Sequence, residues 1–563
     1  MKDKNKLLIV GGVAGGASCA ARARRLSEDA EIIIFERGPH ISFANCGLPY
    51  HVGKVIPREM SLIIASPELF KKRFNIDVRT DNNVRYIDRK NKEIEVENLK
   101  TGDVYKESYD FLVLSPGAAP LRPKLDGIDI PGIFTLRTIP DMRAIIDWIE
   151  TQNVKKAAVV GGGFIGLEMS ENLKIRDIDV TIIEMQQQVM PLLDPEIAAF
   201  IHFHLKAKGI SLVLGSPVTG FSQNIDNMIA VMLESGKTVA VDLVILAIGV
   251  RPEVELAKAA GINIGELGGI LVDDQMRTSD ESIWAVGDAV EVKNYVTAGQ
   301  SLVQLASPAN RQGRIAADVI MGNNSSHHPR FRGAQGTSVC GVLGLTIAAT
   351  GTTEKTLKQH SSNNNLGLYE KIYLHPSHHA GYYPDAETIT IKLIFSTENG
   401  RILGAQAVGK AGVEKRIDII AMAIQQNGTV FDLEEAELCY APQYGSAKDP
   451  VNLAGMIASN LLRGYFSVAH WEDLAESNAY ILDVREPSEF KRGHAKNAVN
   501  INLGGLRERM SELPRDREIW AYCYEGKRSY VAARILVQHG FKVRNISGGY
   551  LTYMAVKQYK NLP

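Results

Sequence analysis

Residues 6–36 read KLLIVGGVAGGASCAARARRLSEDAEIIIFE, and the fold turns on how this stretch is read. The apolar run 6–10 predicts a short strand, the glycines of GGVAGG at 11–16 a tight turn, Ala17–Leu26 a helix, and EIIIFE at 31–36 a second strand. Together they make a βαβ unit. Gly11, Gly12, Ala14, Gly15 and Gly16 bring the backbone up to a helix N-terminus, where unpaired amides and the positive end of the dipole suit a pyrophosphate. Glu36 ends the second strand 20 residues after Gly16, where a carboxylate can hold an adenosine ribose, and Arg37 beside it is a further cofactor candidate. Val13 stands where a GxGxxG turn has its middle glycine, so strand, turn, helix and acid carry the reading jointly.

A second copy occupies 156–184, with KAAVV, GGGFIG, the helical LEMSENLKI and the strand VTIIE. Gly161, Gly163 and Gly166 complete a GxGxxG, and Glu184 follows 18 residues after the last of them. A carboxylate there accepts a ribose 2′-OH and repels a 2′-phosphate, which predicts NADH over NADPH. Between 330 and 455 the glycine turns stop. TITIKLIFS and RILGAQAVG predict an antiparallel sheet backed by the helix RIDIIAMAIQ. After the helical MIASNLLRG at 456–464, a new α/β pattern starts with SVAHWEDL and AYILDVRE, placing a boundary near 465.

At 563 residues the chain is too long for one hydrophobic core. The 63 Lys and Arg nearly balance the 64 Asp and Glu, so no net field favours nucleic acid or an anionic membrane, and a small-molecule partner is expected. Five scattered cysteines (Cys19, Cys46, Cys340, Cys439 and Cys523) form neither a disulfide framework nor a CxxC pair, as expected for a reducing, cytoplasmic compartment. The Lys-rich start and LLIVGGVAGGASC imitate a signal peptide, but cleavage there would remove the first strand and its turn. No apolar run reaches the roughly 20 residues that span a bilayer. HPSHHAG at 375–381 has no carboxylate or thiolate at ligand spacing, so its histidines are read as loop or interface residues and no metal is expected.

The two nested units, followed by TSDESIWAVGDA at 278–289, resemble the pyridine nucleotide–disulfide oxidoreductases, a family of two-dinucleotide flavoproteins. LSPGAAP at 114–120 and AIGVRP at 247–252 match its other glycine segments, so the resemblance covers roughly residues 5 to 455. It implies FAD on the first unit, with Gly117, Gly249, Gly287 and Asp288 added to the cofactor contacts, and NADH on the second.

In SFANCGLPY at 42–50, Cys46 follows a strand and stands at a helix start, a setting that lowers a thiol pKa. The second cysteine of a CxxxxC pair is replaced by His51, so any disulfide at Cys46 forms with a substrate thiol. SFxNCxLPY resembles the single-cysteine branch of the family, which contains coenzyme A disulfide reductase, NADH peroxidase and NADH oxidase. Cys19 and Cys340, without such surroundings, are read as inert core residues.

YYPDA at 382–386 and YAPQYGSAKD at 440–449 resemble the coenzyme A disulfide reductase segments whose tyrosines and lysine approach the reactive sulfur. The resemblance implies catalytic roles for Tyr382 and Tyr440 and a coenzyme A contact for Lys448. It further implies that Tyr440 and Lys448 serve the other subunit of a homodimer. Ser18, Arg22, Arg25, Ser42 and Asn45 match coenzyme A-contacting positions, with Lys71 and Arg73 as further phosphate contacts; by composition alone Arg22 and Arg25 are equally a solvated helix face.

CYEGKR at 523–528 lies between the strand EIWAYC and the helix SYVAARILVQHG, a loop that aims backbone amides at the sulfur and stabilises a thiolate or persulfide. With LDVREPSEFKRGHAKNAVNI at 482–501 and NISGGYLTY, it resembles a single-domain rhodanese in which Cys523 carries Cys–S–SH and Arg528 supports the loop. A phosphatase loop needs one more residue between cysteine and arginine.

The expected fold is α/β: an FAD-binding domain at 1–120 and 255–330, an NADH-binding domain at 121–254, an α+β dimerisation domain at 331–455 and a rhodanese-like domain at 465–563. The group resembled is the coenzyme A disulfide reductase–rhodanese fusions, also described as NADH-dependent persulfide or polysulfide reductases. The expected activity is reduction by NADH, through FAD and Cys46, of persulfide, polysulfide or coenzyme A disulfide. Two alternatives stand beside it: an NADH peroxidase or oxidase cycling through a Cys46 sulfenic acid, and a sulfurtransferase whose flavin module senses redox state.

Overall fold

A computed structural model describes residues 5–223, 228–322, 328–359 and 367–559. The chain forms two compact units, Met1–Ile183 with Ser216–Gly336 and Glu184–Gly215 with Thr337–Pro563.

In the first unit the strand Lys6–Val10 lies between Glu31–Glu36 and Phe111–Leu114, with Ile283–Ala285 and Asp77–Thr80 at the edges, all parallel. Leu7, Leu8, Ile9, Ile32, Ile33 and Ile34 are buried, the unbroken apolar run that a parallel sheet covered on both faces requires. Each such side chain contributes about 1.5–3 kcal/mol of burial. The first helix spans Gly15–Leu26, two residues earlier than the apolar spacing predicts, so it starts inside the glycine turn. It packs on Ala306–Met321, and the approach requires Gly313, where a Cβ would lie 2.2 Å from the Gly15 carbonyl oxygen. The strand Lys156–Val160 heads a second parallel arrangement beside Asp179–Glu184 and Leu243–Leu246, feeding the helix Phe164–Ile175.

The second unit is built on an antiparallel sheet in the order Ser338–Val342, Leu345–Gly351, Ile402–Gly409, Ile389–Ser396 and Tyr369–Leu374. Every residue of Ile389–Ser396 and Ile402–Gly409 is buried. The helices Val413–Gln425 and Pro195–Ala207 both pack on Ile402–Gly409, so residues 184–215, assigned by sequence to the NADH-binding stretch, fold with this unit. The rhodanese-type sheet is parallel, in the order Ser467–Ala469, Val543–Ile546, Ile519–Tyr522, Tyr480–Asp483 and Val499–Asn500. It docks on the edge strand Tyr369–Leu374. The Tyr373 amide donates to Ser547 Oγ at 2.8 Å, and His375 Nε2 lies 3.0 Å from Thr552 Oγ1.

A buried charge network lies behind that contact. Lys392, fully buried in the strand Ile389–Ser396, places Nζ 2.8 Å from Asp194 Oδ2 and 2.8 Å from Glu354 Oε2, and also bonds Glu196. Lys371 donates to both oxygens of Glu354 at 2.8 Å and pairs with Glu472 of the rhodanese-type domain. Tyr373 Oη donates to Glu196 at 2.6 Å, and Tyr559 Oη reaches it at 3.4 Å. Burial alone would strip the proton from Lys392, but Glu196, Asp194 and Glu354 outweigh it and hold the ammonium protonated. Among the described residues no helix is long and apolar enough to cross a membrane.

Candidate active sites

Both glycine turns have the shape that a bound dinucleotide needs. Gly11 has φ +92° and Gly161 +109°, and a Cβ on either would lie 2.0 and 2.2 Å from the carbonyl oxygens of Ser115 and Ala247. Gly166 is equally forced, 2.0 Å from the Gly161 oxygen. Gly163, by contrast, faces open space, as a cradle for phosphate should. Neither the helix Gly15–Leu26 nor Phe164–Ile175 is capped by its own N-cap side chain or has an acid in its first turn; Ser115 Oγ accepts from the Gly16 amide at 3.1 Å, and the positive ends of both helices suit an outside anion. Glu36 accepts from the amides of Gly12 and Gly38, both at 2.9 Å, and so sits against its turn. Gly117, Gly249 and Gly287 all have positive φ. These residues fit FAD and NAD(H).

Arg37 pairs with Glu253 at 2.6 Å, and Arg137 reaches the same carboxylate at 2.8 Å while donating to the Pro116 carbonyl, which fixes the LSPGAAP segment. The sequence reading did not pick out Arg137 or Glu253. They are over 100 residues apart and lie in no motif. Glu184 ends its strand and accepts from the Gln186 amide at 2.8 Å.

Cys46 is exposed in a single 3-10 turn, Asn45–Gly47, that leads into the short helix Leu48–Val52. The helix-start argument predicts a lowered thiol pKa; the structure raises it. Desolvation by the surrounding walls comes first, then the carboxylates of Glu168 and Asp288, and the turn's own amide is too weak to reverse them. Glu168 was missed in the sequence. Its carboxyl is pushed up to about 7 by burial, against a 3.4 Å bond from Tyr50 Oη, and a lone acid on a helix gives no signal of that. Burial likewise raises Asp288. Cys19 and Cys340 are buried, and burial pushes the Cys19 thiol up to about 12.

Ser18, Arg22 and Arg25 share one face of the helix Gly15–Leu26. Ser18 Oγ donates to Asn310 Oδ1 and Arg22 pairs with Asp318 at 2.6 Å, while Arg25 is exposed. Ser42, in the left-handed region at φ +47°, is buried and donates its amide to Gly12. Asn45, Lys71 and Arg73 are exposed, the last two on the helix Pro67–Phe74.

Within the second unit the structure brings Tyr382 and Tyr440 together, their hydroxyls 2.9 Å apart, with Tyr382 78% exposed and Tyr440 50% exposed. Lys448 is exposed next to Asp449, which is buried and bonded to Arg416. The histidines of HPSHHAG bond to protein groups: His375 to Thr390 and Thr552, His378 to Glu387, His379 to the Ala380 carbonyl.

Cys523 is 1% exposed at the base of the loop between the strand Ile519–Tyr522 and the helix Lys527–Gln538. The Gly526 amide, at φ +102°, donates to its sulfur at 3.1 Å, and Ser529 Oγ lies 3.6 Å away. Arg528 makes a two-pronged pair with Glu489, 2.6 and 2.8 Å, and also acts on Cys523. Glu489 is thereby held at about 2, below its ordinary 4.5. A depressed carboxyl stabilises the fold above its unfolded pKa, and that stability is lost as pH falls from about 4.5 toward 2. Glu489→Gln should therefore be less stable than wild type at pH 7, and the gap should close on acidification through that window, as read from unfolding curves at several pH values.

Residues 5–313 match the family model "Pyridine nucleotide-disulphide oxidoreductase", 337–449 match that family's dimerisation domain, and 468–555 match the rhodanese-like domain. The chain belongs to the pyridine nucleotide–disulphide oxidoreductase family. It is 36% identical over 450 residues to an NADH oxidase of Methanocaldococcus jannaschii, covering 80% of this chain and 97% of that protein. It is 34% identical over 456 residues to a coenzyme A disulfide reductase of Staphylococcus haemolyticus, covering 81% and 100%. Two solved structures extend through the rhodanese-like domain. Reduced CoADR-RHD of Bacillus anthracis is 47% identical, with a TM-score of 0.94 over 98% of each chain. A NAD-dependent persulfide reductase of A. fulgidus is 37% identical, with a TM-score of 0.90 over 97% of this chain and 100% of that one. The chain is thus an α/β pyridine nucleotide–disulphide oxidoreductase carrying a rhodanese-like domain, and the family uses FAD and NAD(H).

Proposed function

We propose that this oxidoreductase reduces the sulfur–sulfur bond of a persulfide, coenzyme A persulfide above all, and of coenzyme A disulfide, using NADH, with Cys523 supplying sulfane sulfur. The observation that carries the reading is Cys46, a free exposed thiol with His51 in place of a second cysteine, in one chain with a built cysteine loop at 523–528. When bound, FAD relays two electrons from NADH to sulfur. The Cys46 thiolate attacks the coenzyme A sulfur of the persulfide; the new bond joins Cys46 to that sulfur, and the outer sulfur leaves as hydrosulfide. Two electrons then split the mixed disulfide into a Cys46 thiolate and free coenzyme A. Tyr382 and Tyr440, whose hydroxyls lie 2.9 Å apart, are the proton donors to the departing sulfur, and Lys448 contacts the coenzyme.

The candidate residues divide accordingly. Gly11, Gly12, Ala14, Gly15, Gly16, Glu36, Arg37, Gly117, Gly249, Gly287 and Asp288 hold FAD, and Gly161, Gly163, Gly166 and Glu184 hold NADH. Ser18, Arg22, Arg25, Ser42, Asn45, Lys71 and Arg73 bind the coenzyme. The working form is a homodimer, with Tyr440 and Lys448 of one subunit serving Cys46 of the other. The domains run 1–120 with 255–330, 121–254 apart from the 184–215 segment that folds with the second unit, 331–455 and 465–563, in a cytoplasmic protein.

NADH oxidation rates with coenzyme A persulfide, coenzyme A disulfide, peroxide and oxygen test the reading. Persulfide should be fastest; a peroxide or oxygen rate above it would favour an oxidase, the activity named for the M. jannaschii relative. Nucleotide choice is tested at Glu184. Glu184→Ala with Met185→Arg should lower kcat/KM for NADH roughly 10- to 100-fold, the worth of a hydrogen bond to a charged group, and raise it for NADPH.

A further inference from the structure

The arginines around Cys523 are already spoken for. Arg528 is closed onto Glu489 by two bonds, and Arg485 is closed onto Asp483 by bonds of 3.0 and 2.7 Å, donates to the Gly493 carbonyl and stacks 4.1 Å from the Tyr550 ring. The loop itself carries Glu525 as well as Lys527. Glu489 and Glu525 therefore offset Arg528 and Lys527, and the formal charge around the sulfur sums to zero. What faces the sulfur is one amide and one hydroxyl, from Gly526 and Ser529, with the Arg528 guanidinium, whose charge is already matched by Glu489, so the surroundings suit a single negative charge.

We infer that Cys523 draws its sulfur from organic hydropersulfides and discriminates against thiosulfate, an inference that rests on the reading of Cys523 as a sulfur carrier. In the favoured transfer the Cys523 thiolate attacks the outer sulfur of R–S–SH, the S–S bond breaks, Cys523–S–SH forms and RS⁻ leaves. Only one negative charge passes through the loop. From thiosulfate the same attack must admit a dianion and release sulfite, also a dianion, into a loop with no uncompensated cation to receive it.

The test uses the full-length protein with Cys46→Ser and Cys439→Ser, which removes both exposed thiols and leaves Cys523 as the site of sulfur loading. Loading is read by mass spectrometry of the Cys523 peptide and by thiocyanate release with cyanide, comparing cysteine hydropersulfide with thiosulfate. Hydropersulfide should load at least roughly tenfold faster, and Glu525→Gln, which removes a negative charge from an exposed loop position, should raise the thiosulfate rate on the order of tenfold while leaving hydropersulfide loading little changed. Glu489→Gln, which also frees Arg528, is the second variant and should move the same way. Equal loading from both donors in the parent, or no response of thiosulfate loading to either variant, overturns the inference and leaves the carrier reading standing. Loading from neither donor overturns the carrier reading itself.

Discussion

Cys46→Ser should lower NADH-dependent reduction of coenzyme A persulfide by roughly three orders of magnitude or more, the scale seen when a covalent nucleophile is removed. A serine hydroxyl cannot form the mixed disulfide, and of the other thiols only Cys439 is exposed, so Cys439→Ser beside Cys46→Ser serves as the control. Cys19 is buried with its pKa pushed up to about 12, Cys340 is buried in the sheet of the second unit, and Cys523 is enclosed by its own loop. Sulfur loading at Cys523 should survive the change, because its amide and hydroxyl partners come entirely from residues 526–529. NADH oxidation and cyanide-released thiocyanate, measured on one preparation, separate the two chemistries. Persulfide turnover that persists in the serine variant would mean that Cys46 is not the redox thiol.

Lys392→Met should cost about 3–5 kcal/mol, the price of leaving buried carboxylates without their counter-charge. Methionine matches the length of the lysine stem, so the loss is one of charge rather than volume. Asp194, Glu196 and Glu354 would then face one another without the ammonium that holds them together. Adding Glu196→Gln to Lys392→Met should recover part of the loss, since it removes one of the stranded charges. Thermal unfolding of the wild type and the single and double variants gives the comparison. A double variant no more stable than Lys392→Met would argue against the charge account.

Both glycine turns were legible because their geometry is local: Gly11, Gly161 and Gly166 are demanded by carbonyl oxygens only 2.0–2.2 Å from a would-be Cβ. The cysteine loop at 523–528 was legible for the same reason, a strand and a helix meeting at a sulfur within six residues. The direction of the Cys46 pKa was not. It depends on burial and on Glu168 and Asp288, which lie more than 100 residues away in sequence. The charge network was invisible as well, because Asp194, Glu354, Lys392 and Glu472 belong to four separate segments and each, taken alone, reads as a surface residue.

The seat of the rhodanese-like domain also covers a strand edge. Tyr369–Leu374 is the last strand of its sheet, and a bare strand edge is a template on which other chains add strands and aggregate. Here the Tyr373 amide is capped by Ser547, and the neighbouring His375 and Lys371 are engaged by Thr552 and Glu472 of the same domain. A chain cut near residue 465 would lose that cover and expose the strand edge with Lys371 unpaired from Glu472, so the rhodanese-like domain also covers the sheet against strand addition.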